Sequence, residues 1–168
     1  MLNEILLFFE NYPVITLIFL TLLPFLELRA SIPYGILNTD LNWVVVFFIC
    51  VITNILLAPV IYLLLDKIIF IITKIKIIDK LYQKYVEKTQ KKIHKYVDKY
   101  GLIGVSIFIG IPLPGSGVYS GALGAYLLGI DFKRFLIAAI IGVLIAGTLV
   151  TIISLTGGGI FNSLIKVI

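Results

Sequence analysis

The sequence predicts an all-α integral membrane protein, built as an inverted repeat of a re-entrant helical hairpin plus a transmembrane helix, with the halves joined by an amphipathic basic cytoplasmic helix. Three observations carry this expectation. Of 168 residues, 60% are hydrophobic and 14% charged, and the mean hydropathy is +1.11, far above the balance of a soluble domain. The apolar blocks fall into two lengths, and two of them reach the roughly 20 residues a helix needs to span a bilayer. Finally, the order of features in the first half recurs in the second.

The N-terminal stretch "MLNEILLFFENYP" carries Glu4 and Glu10 but neither Lys nor Arg. It lacks the basic start of a secretory signal peptide and reads as part of the mature protein. The apolar blocks that follow are 13–26, 30–41, 42–65, 101–111, 118–130 and 134–156, with a short tail. Blocks 42–65 and 134–156 are full spans. The others are arms of about 10 to 14 residues broken by proline, glycine or charge, lengths that suit re-entrant segments. Four ordinary spans, with 5–26 and 101–130 each crossing fully, are the alternative; they would make Glu27 and Arg29 part of an interfacial loop.

The chain thus reads as one membrane domain, 1–168, divided into a first hairpin-plus-span repeat (1–65), a basic connector (66–100) and a second hairpin-plus-span repeat (101–168). "ENYPVITLIFLTLLP" (10–24) lies over "DKYGLIGVSIFIGIP" (98–112) at an offset of 98 − 10 = 88, pairing Glu10 with Asp98, Tyr12 with Tyr100 and Pro24 with Pro112. After one extra residue, "DLNWVVVFF" (40–48) falls on "GIDFKRFLI" (129–137), with Trp43 on Phe132.

Charge sets the topology. The formal net charge is +5, and residues 66–100 hold ten Lys against Asp66, Asp79, Glu87 and Asp98, or 10 − 4 = +6, leaving −1 for the rest. A single basic segment between apolar blocks is what the positive-inside rule places in the cytoplasm, so nucleic-acid binding is not expected. Two hairpins that each enter and leave on one side put Lys133 and Arg134 inside and the Lys-free N-terminus outside. The expected location is the plasma membrane, multi-pass, with 66–100 cytoplasmic.

Within the first span, Cys50, Asn54, Ala58 and Tyr62 recur every fourth position toward Asp66 and share one helix face. Ala138, Gly142 and Ala146 do the same in the second. Small residues let backbones approach where lipid gives no hydrophobic drive, so both faces should turn inward. Asn54 is either a packing residue or part of a substrate or proton path, and Pro59 suggests a kink near it. Cys50, the single cysteine, excludes an intramolecular disulfide and reads as a small packing residue.

Residues 78–100 place Ile78, Tyr82, Val86, Ile93, Val97 and Tyr100 near one face and lysines on much of the rest. This is an amphipathic helix whose Lys84, Lys88, Lys91 and Lys92 suit an anionic lipid surface, or a solvated connector that enforces topology. His94, the single histidine, reads as a surface residue.

The candidate path lies in "PFLELRASIPYG" (24–35). A charge at membrane depth is expensive, and such residues usually face a cavity, pair with one another and mark an ion or substrate route. With twelve Lys and two Arg in the chain, Arg29 suggests a need for a planar, permanently charged fork that grips a carboxylate or phosphate. Glu27 is a candidate proton carrier, and Asp40 is a second titratable candidate or an interfacial cap. In the other hairpin, "GIPLPGSGVYSGALGAY" (110–126), Pro112 and Pro114 break helix, while Gly115 and Gly117 permit unusual backbone shapes. Ser116 and the N-H groups at the following helix start suit an anion; tight packing through Gly117, Gly121 and Ala125 is the competing reading.

"PFLELRASIPYG" followed by "IPLPGSGVYSGALGAYLLG" resembles the small multi-drug export protein family of bacteria and archaea, which looks like a branch of the DedA (VTT-domain) membrane superfamily. The resemblance covers nearly the whole chain. It implies two opposed re-entrant hairpins, with Glu27, Arg29 and Pro33 matching the acidic, proline-containing first motif. It also implies an association with lipid scrambling, polyprenyl phosphate translocation and proton-dependent transport. Unlike DedA relatives, this chain has no arginine between 101 and 130.

The leading expectation is a membrane transporter or lipid translocase for an anionic or amphiphilic substrate, with proton coupling open. A drug exporter is the narrower variant, and a non-transporting factor that binds lipid or a partner through its basic helix is the other class. No enzyme activity, cofactor or metal is expected, because no metal-ligand spacing appears and Ser116 has no visible base. The expected partners are membrane lipids and a second copy of the chain, since two full spans are few for a lone transporter.

Overall fold

Proline and glycine divide the apolar sequence into short and long helices. The computed structural model describes residues 9, 11–24, 26–72, 101–112 and 115–165, with backbone alone at 66, 68–72 and 158–165. Six helices fall among them: α1 (Pro13–Leu22), α2 (Glu27–Asn38), α3 (Trp43–Ile72), α4 (Gly101–Gly110), α5 (Val118–Leu127) and α6 (Phe132–Ile165). There are no strands among the described residues. The amphipathic helix expected over 78–100, with Lys84, Lys88, Lys91, Lys92 and His94, lies outside the described residues, as do Pro114 and the Asp66 side chain.

Each break has a local cause. Pro13 starts α1 where its missing N-H would have no intrahelical partner, and Pro24 follows its end. Residues 39–42 separate α2 from α3, with the Asn42 side chain accepting from the Val44 N-H at 2.9 Å. At the matching place in the second half, Gly129 takes φ +70 after α5, and the Asp131 side chain accepts from the Arg134 N-H at 3.2 Å. Pro33 and Pro59 lie inside α2 and α3, both of which continue through them.

Among the described residues, two helices are long and apolar enough to cross a membrane, over Trp43–Leu65 and Phe132–Gly157, close to the expected 42–65 and 134–156. Helices α1, α2 and α5 have 10, 12 and 10 residues, about 15–18 Å of rise against a hydrocarbon core of about 30 Å. The start of the second long helix recurs at the offset read from the sequence, 132 − 43 = 89.

The chain clusters into two units, Met1–Asn54 with Leu144–Ile168, and Ile55–Val143. In the first, α1 packs on α2, and Gly35 lets α2 meet both Leu17 and Val46; a Cβ there would lie 2.5 Å from Val46 Cγ1 and 2.9 Å from Leu17 Cδ2. The N-terminal part of α3 meets the C-terminal part of α6 at Gly147, where a Cβ would lie 2.7 Å from Val51 Cγ2. Residues Thr16, Thr21, Glu27, Ser31, Asn54, Thr151 and Ser154 make its interior unusually polar.

In the second unit, Ile109 of α4 is received by Gly121 of α5 and Gly142 of α6. Tyr62 of α3 stacks on Phe135 with ring centroids 4.9 Å apart and donates its hydroxyl to the Ile130 carbonyl at 2.6 Å. Of the faces expected to turn inward, Cys50, Asn54, Ala58, Ala138, Gly142 and Ala146 are buried, and Tyr62 is half-buried. The opposite faces expose large aliphatic residues such as Ile52, Leu56, Leu63, Ile137 and Ile153, Leu56 at 64%.

Candidate functional site

The described polar cluster of the first unit is built on the turn between α1 and α2. Glu27 stands three residues after Pro24 and has φ +47, the one positive φ outside glycine among the described residues. A bulky L-residue rarely holds this conformation. Its side chain nevertheless turns inward, and the residue is 2% exposed.

Two donors reach the same carboxylate oxygen. Arg29 Nη1 lies 3.3 Å from Glu27 Oε2, and Asn54 Nδ2 donates to it at 3.3 Å. Residues two apart on a regular helix point in different directions. The Glu27–Arg29 pair closes because Glu27 is at the first helical position with a backbone off the helical path. Arg29 keeps 12% of its side chain exposed, whereas Asn54 is 1% exposed. Both contacts are at the long end of hydrogen-bond range, and a carboxylate has about four lone-pair sites.

Hydroxyl groups fasten the backbone beneath it. The Ser31 hydroxyl donates to the Glu27 carbonyl at 3.2 Å and lies 2.6 Å from the Thr21 hydroxyl. Thr21 also reaches the Leu17 carbonyl at 2.7 Å, tying α1 to α2, and the Cys50 thiol of α3 sits beside both hydroxyls. Pro33 has no N-H to give to the carbonyl four residues earlier, that of Arg29.

Of the sequence candidates, Glu27, Arg29 and Asn54 come together. Asp40 does not: it is exposed beyond the far end of α2, about 18 Å of helix from Glu27, where with Tyr34 and Asn38 it lines a shallow pocket of about 210 Å³. In the second unit Gly115 takes φ +82, and Ser116 donates its hydroxyl to the Ile111 carbonyl at 2.6 Å. Gly117 gives its N-H to the Ser120 side chain at 3.0 Å. These groups close the turn from Pro112 into α5. Among the described residues, no three His, Cys, Asp or Glu side chains gather as a metal site would require.

Sequence reasoning missed Thr21 and Ser31, which on their own helices look like ordinary small polar residues. It also missed the left-handed backbone at Glu27. The signal was present: at offset 88 the residue aligned with Glu27 is Gly115, the residue type that such a position favours.

The model of one protein family matches residues 27–149, from Glu27 to past Gly147. That is 149 − 27 + 1 = 123 of 168 residues. This chain belongs to the small multi-drug export protein family. The matched region of this family member contains Glu27, Arg29, Pro33 and Asn54 as well as the Pro112–Gly117 turn. No curated protein and no solved structure matches the chain.

Proposed function

We propose that this chain is an integral membrane transporter that moves an anionic or amphiphilic substrate across the bilayer past the Glu27–Arg29–Asn54 cluster. The observation that carries this reading is Glu27 itself. A carboxylate buried between short apolar helices, in a backbone conformation disfavoured for its residue type, is retained against both a desolvation and a conformational cost. Such strain clusters at functional sites. Arg29 supplies the planar cation suited to a carboxylate or phosphate, and exchange of Glu27 for a substrate anion, with a proton taken up by Glu27, is the chemistry this pair offers.

Supporting the membrane assignment are the two long apolar helices, their exposed aliphatic faces and the family. Large exposed apolar surface is disfavoured in water and natural in lipid. The long helices that start 132 − 43 = 89 residues apart and the matching left-handed turns at Glu27 and Gly115 support an inverted repeat with two re-entrant hairpins, the architecture that links it to the DedA superfamily. In this arrangement Lys84, Lys88, Lys91 and Lys92 lie on the cytoplasmic leaflet of the plasma membrane. The working unit is a homo-oligomer without enzymatic activity or cofactor. The family's description favours a second, narrower reading, export of small drug-like molecules.

The test uses purified protein in liposomes. Translocation of labelled anionic lipids, a polyprenyl phosphate among them, is followed with and without a pH gradient for wild type and Glu27→Gln. Flux that falls at least tenfold in the variant is expected. Absence of flux with every lipid sinks the translocase form, and resistance to hydrophobic cations on expression then separates drug export from a lipid-binding role.

A further inference from the structure

The two halves differ at the polar cluster in a coordinated way. At offset 88, Glu27 corresponds to Gly115 and Arg29 to Gly117; at the span offset of 89, Asn54 corresponds to Val143. Gly115 repeats the left-handed backbone of Glu27, at φ +82 against +47, and Val143 is buried as Asn54 is. The turn and the helix position are therefore kept in both halves. The first carries acid, guanidinium and amide together, and the second carries none of them.

Asn54 has a further property. Its Nδ2 is given to Glu27 Oε2, while its Oδ1 is buried and makes no hydrogen bond. A buried acceptor left in this state is destabilising and calls for an explanation. The amide is a donor at one end and an acceptor at the other, and a half-turn about its last bond exchanges them. Toward a carboxylate it donates through Nδ2. Toward a protonated carboxyl, whose added hydrogen is itself a donor, it accepts through Oδ1.

We propose that Asn54 is the positioning residue for Glu27: its amide holds the side chain in both protonation states and so keeps the left-handed turn in place while the Arg29 pairing is made and broken. This rests on the transport reading given above. A proton arriving on Oε2 forms the O-H bond that Oδ1 then accepts, and its departure restores the Nδ2 contact; no other atom changes hands. Arg29 is the charged group beside Glu27 from α2. α1 presents the Thr21 hydroxyl and α3 the Asn54 amide, with the titratable Cys50 thiol beside Thr21 and Ser31. Residues 144–157 of α6 carry no charge.

A stability cycle tests the pair independently of flux. Asn54→Val copies Val143, and in the wild-type background it should lower the detergent melting temperature by about 2–4 °C. In a Glu27→Gly background, where glycine accepts the turn without its side-chain lock, the same substitution should raise it, because an unused buried amide is removed. A cost of the same sign in both backgrounds overturns the proposal. Where flux is measurable, Asn54→Gln should keep the wild-type dependence on pH and Asn54→Val should move its midpoint by about one pH unit or more, roughly a tenfold change in proton affinity. An unmoved midpoint also overturns it. Absence of flux in wild type speaks against the transport reading while leaving the cycle intact.

Discussion

Glu27 and Gly115 occupy the same turn position. Each stands three residues after a proline, Pro24 or Pro112, at the entry to the second helix of a hairpin, and each has a left-handed backbone, with φ +47 and +82. Glycine adopts that shape without a Cβ penalty, whereas a non-glycine residue in a sparsely populated region stores about 1–3 kcal/mol. The contacts of the Glu27 carboxylate with Arg29 and Asn54 offset that strain.

Arg29→Ala should be among the most disruptive single changes in α2. It removes the cation from beside the buried Glu27 carboxylate, and breaking a buried ion pair on one side costs about 3–5 kcal/mol. Replacing both members together with glycine, as at Gly115 and Gly117, should recover most of that loss. Melting temperatures in detergent for the single and double variants would check this; equal losses would show that the ion pair contributes little.

Glycine positions should separate sharply. Gly142→Ala places a Cβ 2.8 Å from the Ser106 carbonyl oxygen and 2.7 Å from Ile109 Cβ, and neither can move without backbone adjustment. Overpacking of this kind costs about 1–3 kcal/mol. Gly35→Ala meets the stiff Val46 side chain at 2.5 Å and should fall in the same range. At Gly124 a Cβ has open space, and alanine, the better helix former, should be neutral or stabilising. Thermal melts of the three variants give the order directly.

Topology has a direct readout. With Cys50 replaced by alanine, single cysteines at Asp98→Cys and Asp131→Cys flank the segment that contains α4 and α5. A membrane-impermeant thiol reagent should reach both from the cytoplasmic side if the segment is re-entrant. Labelling from opposite sides would establish a full crossing and remove the inverted-repeat proposal.

The sequence by itself determined the helix inventory, because block length and the places of Pro13, Pro24, Pro112 and Gly129 act locally on the chain. It also determined which faces of the long helices turn inward, since the four-residue spacing of Cys50, Asn54 and Ala58 is a property of one helix alone. Glu27 and Arg29 stood out because charge in an apolar stretch is conspicuous. Only the tertiary structure decided that Asn54, 27 residues away, meets the Glu27 carboxylate, that Asp40 is held apart, and that the Ser116 hydroxyl is spent on the Ile111 carbonyl. Periodicity states that a residue faces inward but not what it faces. The register between helices is set by side-chain fit, such as Gly35 against Val46 and Leu17, and that fit exists only once the helices are packed.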